Sequence, residues 1–289
     1  MAALITWPVA WFADATIAVF LCVLGGNVAS FLNVVAHRAP RGESVVRGGS
    51  RCPACGSPVR WHDNVPVLGW LVLRGRCRDC ACPIDARYPL VEAAGMLIGA
   101  ITAIELLSGG RTWPPGRFGT GRVGADVLLL QPDWPLALVC LSHAVLLCVV
   151  LAWTLFEADG VDVPWSWWCG TCLGLGALAV AVGGPLTEPG WPAASQAVIG
   201  GCVAAAVGAA VGKRVLGQAL VCAGCVLGWQ GLVTAVAVMP IAAAVRIGLG
   251  AVAGRRHGEQ GPRCVDLLVT LAVLAVAWRW LAAVWQPGS

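Results

Sequence analysis

Residues 51–92 read RCPACGSPVRWHDNVPVLGWLVLRGRCRDCACPIDARYPLVE, a polar island in an otherwise apolar sequence. The stretch holds two Cys-x-x-Cys pairs, Cys52 with Cys55 and Cys77 with Cys80. Each pair sets two thiolates on one knuckle, and two knuckles joined by a loop close a tetrahedral four-sulfur site of the kind structural zinc prefers. The four cysteines are therefore candidate zinc ligands, with Cys82 a fifth thiol close enough in sequence to stand in for Cys80. The apolar residues of Trp61–Leu68 and Trp70–Leu73 are expected to form a small core around the metal, since so short a domain would hardly fold without a staple.

Outward from this island the chain turns greasy. Charged residues make up 12% of the 289 residues and apolar ones 58%, where a soluble domain carries about a quarter charged. The apolar residues fall in runs near the length that crosses a hydrocarbon core of about 30 Å. Because backbone groups cannot stay unpaired in lipid, such runs predict an all-α polytopic bundle. The first run, about Val9–Val35, lacks a basic segment before it and a cleavage signal after it, so it is expected to be a retained helix.

Net charge is +4, and its distribution orients the chain: Arg38, Arg41, Arg47, Arg51, Arg60, Arg74, Arg76, Arg78 and Arg87 all follow that first run. The positive-inside rule makes this loop cytoplasmic and sets Met1 outside. A reducing compartment keeps the loop cysteines as thiols available to a metal. The arginines satisfy the topology rule, so no nucleic-acid role is assigned to them. Cysteines in the apolar runs, such as Cys140, Cys148, Cys172 and Cys222, are expected to act as small packing residues.

In chain order, helix 1 ends near Arg38, the zinc loop covers 37–88, and a second helix follows at about Leu90–Leu107 with Glu92 at its start. A Gly/Pro-rich outer loop (108–135) leads to a third helix, about Leu136–Phe156. It ends at an acidic turn: Glu157, Asp159 and Asp162. Further helices are expected at about Trp165–Val182, Ala193–Val211, two hinged near Trp229–Gly231, and about Val265–Trp285, eight in all. Gly170, Gly174 and Gly176, and Gly200, Gly201 and Gly208, are expected to permit close helix contact. Two domains result: 1–107 with the zinc loop, and a transmembrane domain over 136–289.

Gly26–Val35 (GNVASFLNVV) together with the Cys-x-x-Cys loop and Arg87–Glu92 (RYPLVE) resembles the amino-terminal domain of the type IV prepilin peptidases, over roughly residues 20–100. The resemblance implies an inner-membrane aspartic-type endopeptidase that removes leaders from prepilin-like substrates at the cytoplasmic face. It also implies methyl transfer from S-adenosylmethionine to the new amino terminus in many members. That family cuts with two aspartates, one in an Ile-Asp-x-Asp segment before a proline and one in Gly-x-Gly-Asp. One carboxyl must hold a proton while its ionised partner activates water. Placing Pro164 on the family's proline aligns Glu157 with the first aspartate and Asp159 with the next, so the implied catalytic pair of this half is Glu157 and Asp159. The ending Leu-Gly-Trp-Gln at 227–230 resembles the second segment, but between Gly190 and Gly258 the chain has no acidic residue. Asp266 is the later acid best placed to reach a bundle interior. The alternative is thus an inactive relative that binds prepilins or pilus-assembly components without cutting.

Overall fold

The computed structural model describes residues 2–109, 124–129, 132–162 and 165–181, with helical stretches at 198–199, 201–202, 204, 216, 218–223, 235–236 and 269. Among the described residues the regular elements are helices: α1 Ala2–Arg38, α2 Leu68–Val72, α3 Arg87–Leu107, α4 Asp126–Leu129, α5 Trp134–Ala158 and α6 Trp165–Ala181. Ala10–Arg41, Arg87–Leu107 and Trp134–Ala158 are long and apolar enough to cross a bilayer. The first four expected helices correspond to α1, α3, α5 and α6. The four expected beyond residue 192 lie outside the described residues apart from the short stretches named.

Local chemistry sets the helix ends. His37 and Arg38 close α1, where cations suit the helix dipole. Arg38 then donates from Nη1 to the carbonyls of Arg47 (3.3 Å) and Gly48 (3.0 Å), folding the loop back on itself. Asp133 caps α5 by accepting the Leu136 N–H at 3.2 Å, with Pro135 in the first turn. The far end of α5 is stopped by Gly160 at φ +66°, with Val161 N–H on the Phe156 carbonyl (2.9 Å) and Gly160 N–H on that of Glu157 (3.2 Å). This is a Schellman arrangement, and it makes the acidic turn a defined structure.

α1 and α3 pack antiparallel through small residues. A Cβ on Gly25 would strike the carbonyl oxygen of Gly95, one on Gly95 the Ala29 methyl, and one on Gly99 the carbonyl of Leu21. Gly25-x3-Ala29 and Gly95-x3-Gly99 thus let the two backbones touch, the close approach that small-x3-small patterns provide in membranes. Of the glycines expected to do this, Gly170 and Gly174 of α6 would with a Cβ meet none of the described residues within 4 Å, and the contacts of Gly176, Gly200, Gly201 and Gly208 lie outside the described residues. The contact falls where both facing helices offer a small residue at the same level. α5 packs on α3 and α1, and Leu146, Leu147, Val150, Leu151 and Trp153 share a buried core with Ala29, Ile98, Leu216 and Leu220.

Candidate functional site

The two Cys-x-x-Cys segments fold as one repeated knuckle, offset by 25 positions. In the first, Cys52 N–H bonds the Ser57 carbonyl (2.9 Å), Gly56 N–H the Cys52 carbonyl (2.9 Å), and Val59 N–H the Ser50 carbonyl (2.8 Å). In the second, Cys77 N–H bonds the Cys82 carbonyl (2.8 Å), Ala81 N–H that of Cys77 (3.0 Å), and Ile84 N–H that of Gly75 (2.8 Å). Bridges Arg51–Pro58 and Arg76–Pro83 close each knuckle. Both need a left-handed residue at the same place, Gly56 at φ +72° and Ala81 at φ +57°.

The knuckles bring the Sγ atoms of Cys52, Cys55, Cys77 and Cys80 within 4.8 Å of one another. Sulfurs about 2.3 Å from a zinc ion would form a tetrahedron with edges of about 3.8 Å, so the four residues fit the ion. Zinc bound there would cross-link two loops that otherwise share little core. The backbone N–H groups of Cys55 and Ala54 hold the Cys52 thiol down to about 6, while the Cys80 thiol is shifted up. Cys82 stands where the first knuckle has Ser57, yet its Sγ lies 3.4 Å from Cys52 Sγ, closer than Cys80 Sγ at 3.7 Å.

The segment between the knuckles does not form the expected apolar core around the metal. Trp61, Leu68, Leu71 and Val72 are exposed, and the segment is held by polar clamps. Arg78 pairs through two nitrogens with Asp63, its Nε at 2.7 Å, and the Arg78 guanidinium holds that carboxyl below its usual range. Trp70 donates Nε1–H to the Ile84 carbonyl at 3.1 Å and lies against Gly75. Val67 has φ +63° and ψ −48°, and Leu68 N–H reaches back to the Pro66 carbonyl (2.6 Å), a strained γ-turn for a β-branched residue. Glu92 on α3 secures it, accepting the Val67 N–H at 2.7 Å and the Ser30 hydroxyl at 2.9 Å.

At the acidic turn, Asp159 is engaged by Arg87. Arg87 donates to both carboxylate oxygens, Nη2 at 2.9 Å, and its Nε donates to Asn33 Oδ1 at 3.0 Å. The guanidinium keeps the Asp159 carboxyl below the usual carboxylate range. One arginine at the foot of the cysteine loop thus joins α1, α3 and the end of α5. Glu157 is half-buried one residue inside the helix end, and Asp162 is exposed. Asp266 lies outside the described residues. In the stretch where the resemblance calls for the second aspartate, Leu216, Ala219, Leu220, Cys222 and Ala223 are buried, and the polar side chain among them is Gln218, 7% exposed.

Sequence reasoning passed over a second polar contact inside the bundle. Glu105 of α3 and His143 of α5, 2% and 5% exposed, meet at 2.6 Å between Oε1 and Nδ1. The signal was available: two ionisable residues inside apolar runs mark paired groups, because an unpaired one is costly in lipid. Arg87 was likewise read as a topology charge and as part of the Arg87–Glu92 segment, not as an ion-pair partner.

Comparison with known proteins covers the paired knuckles and the Arg87–Glu92 segment. Residues 23–106 match the family model described as Bacterial Peptidase A24 N-terminal domain. A prepilin leader peptidase/N-methyltransferase of Myxococcus xanthus is 45% identical over 131 residues, covering 45% of this chain and 35% of the relative. One from Klebsiella pneumoniae is 34% identical over 177 residues (58% and 65%). A type 4 prepilin-like proteins leader peptide-processing enzyme of Escherichia coli is 33% identical over 166 residues (51% and 49%). The chain thus spans from about a third to just under two thirds of the length of these relatives. No solved structure matches. Residues 23–106, with the paired cysteine knuckles and the Arg87–Glu92 segment, are similar to the amino-terminal domain of the prepilin peptidase family.

Proposed function

We propose that this chain works on prepilin-like membrane proteins at the cytoplasmic face of the inner membrane, and that it engages them without cutting their leaders. The relatives' names support the substrate class. The observation that carries the absence of cleavage is the missing second acid: between Gly190 and Gly258 no carboxylate replaces the Gly-x-Gly-Asp aspartate. Asp159 is poorly suited to stand in for it, because both its oxygens accept from the Arg87 guanidinium and a carboxylate so held is a poor proton acceptor. Gln218 can donate and accept hydrogen bonds but cannot exchange a proton in acid–base catalysis.

The eight-helix topology, with domains over 1–107 and 136–289 and the zinc loop cytoplasmic, belongs to this proposal. So does zinc as the structural ion of Cys52, Cys55, Cys77 and Cys80. Methyl transfer needs neither carboxylate, and S-adenosylmethionine remains the cofactor the relatives' N-methyltransferase name suggests. Leader cleavage by Glu157 and Asp159 is the competing function, since Glu157 stands where the family has its first aspartate. The test of engagement uses full-length protein in lipid nanodiscs and a fluorescent prepilin-type peptide that includes its membrane helix. Saturable binding, lost in the Cys52→Ser/Cys77→Ser protein, is expected. Absence of saturable binding to the zinc-loaded wild type would overturn the substrate assignment. Labelled S-adenosylmethionine in the same sample scores methylation separately.

A further inference from the structure

The unpartnered face of α2 has a depth as well as a composition. Leu68, Leu71 and Val72 fall at i, i+3 and i+4, one side of the helix, and are 58%, 54% and 73% exposed. The opposite side is occupied: Gly69 packs on the Asp63 backbone, and Trp70 is tied to Ile84 and Gly75. Immediately before α2, a Cβ on Gly26 of α1 would lie 3.0 Å from the Pro66 side chain, and Val67 N–H donates to Glu92 of α3. Gly26 lies twelve residues inside the arginine end of α1, and Glu92 lies five residues inside Arg87, the start of α3. At 1.5 Å per residue these anchors sit about 18 Å and about 7 Å along the two helices from their charged ends. The chain therefore enters α2 alongside the spanning helices, inside the level of the charges that end them. After α2 it passes to Arg74 and Arg76, both exposed.

We propose that α2 is an interfacial helix whose Leu68, Leu71 and Val72 side chains insert among the acyl chains of the leaflet on the zinc-loop side, with Arg74 and Arg76 at the anionic headgroups. A helix lying in the interface buries its apolar face about 5–10 Å into the headgroup and acyl boundary, and the Glu92 anchor, about 7 Å inside the start of α3, falls at that depth. The γ-turn at Val67 is the bend that delivers the helix there, and Glu92 holds it. The metal knuckles are thereby fixed against the membrane surface. This inference rests on α1 and α3 spanning the bilayer, and the experiment separates the two claims.

The test places the full-length chain in nanodiscs of phosphatidylethanolamine and phosphatidylglycerol containing a lipid with a diazirine in its acyl chain. Adducts are mapped by mass spectrometry after irradiation. Leu97 of α3, 56% exposed, is the marker for a spanning helix, and Val46, 85% exposed in the loop, the marker for water. Adducts on 68–72 comparable to those around Leu97, with none around Val46, are expected. Leu71→Asp with Val72→Asp should cause loss of the α2 adducts while those at Leu97 remain. Labelling at Leu97 with a bare α2 in the wild type overturns the proposal alone. Failure to label Leu97 overturns the spanning assignment and the proposal with it. If α2 stays unlabelled by lipid yet cross-links a prepilin-type peptide, the face belongs to substrate and the proposal is likewise overturned.

Discussion

Ala81 and Gly56 occupy the same left-handed position in the two knuckles, and only one of them lacks a Cβ. A β-carbon there costs about 1 kcal/mol, so Ala81→Gly is expected to stabilise the zinc loop by about that amount and Gly56→Ala to weaken it similarly. Nothing lies within 4 Å of a Cβ on Gly56, so the effect is conformational and not steric. Competition with a graded chelator, read as the midpoint of zinc release, measures both. The wild type itself should carry about one zinc per chain, and Cys52→Ser/Cys77→Ser none. A pH effect belongs to Asp159, whose folded value lies below its ordinary 3.8 because Arg87 donates to it. Its stabilising contribution is complete above about pH 4 and is lost as pH falls through the lowered folded value. Thermal unfolding in detergent from pH 6 to pH 3 should show an acid-side loss that Asp159→Asn, already lacking the ion pair, does not share. The cysteine quartet was legible because its spacing leaves few other uses for four thiols. The Arg87–Asp159 bridge was not, since no periodicity links positions 72 apart, and the arginine had a sufficient topological reason to be there.

Among the elements, α1 against α3 is the packing most sensitive to a single change. Gly25→Val and Gly99→Val put side-chain atoms into the facing backbone and should each cost about 2–3 kcal/mol, or prevent assembly of the pair. Gly170→Ala should be neutral or slightly stabilising, because none of the described residues lies within 4 Å of a Cβ there. Thermal unfolding of the purified variants ranks the three. Helix positions were legible from apolar run length alone: α3 and α5 lie within a few residues of the expected spans. Which glycines mediate contact was not, because small residues recur in every apolar run and only the antiparallel register of α1 and α3 sets Gly25 opposite Gly95. The apolar residues of 61–73 misled for a related reason. A hydrophobic run beside four paired cysteines resembles a small core, and composition does not distinguish burial in protein from an exposed apolar face.

Among the described residues, the cysteine loop, α1, α3 and the end of α5 form one connected unit through Arg87 and Glu92. Reporter fusions should place Cys52, Asp159 and Arg255 in the cytoplasm and the regions of Gly116 and Ser289 outside, as the arginine distribution requires. The central claim is that this unit is retained for engagement while the carboxylate chemistry is absent. The most direct measurement incubates purified full-length protein in lipid with a prepilin-type substrate and follows the leader by mass spectrometry, with Glu157→Gln and Asp159→Asn in parallel. The account predicts an intact leader in all three samples. Loss of the leader with wild type, abolished by either substitution, would contradict it and show that the bundle supplies a second acid to Glu157 or Asp159.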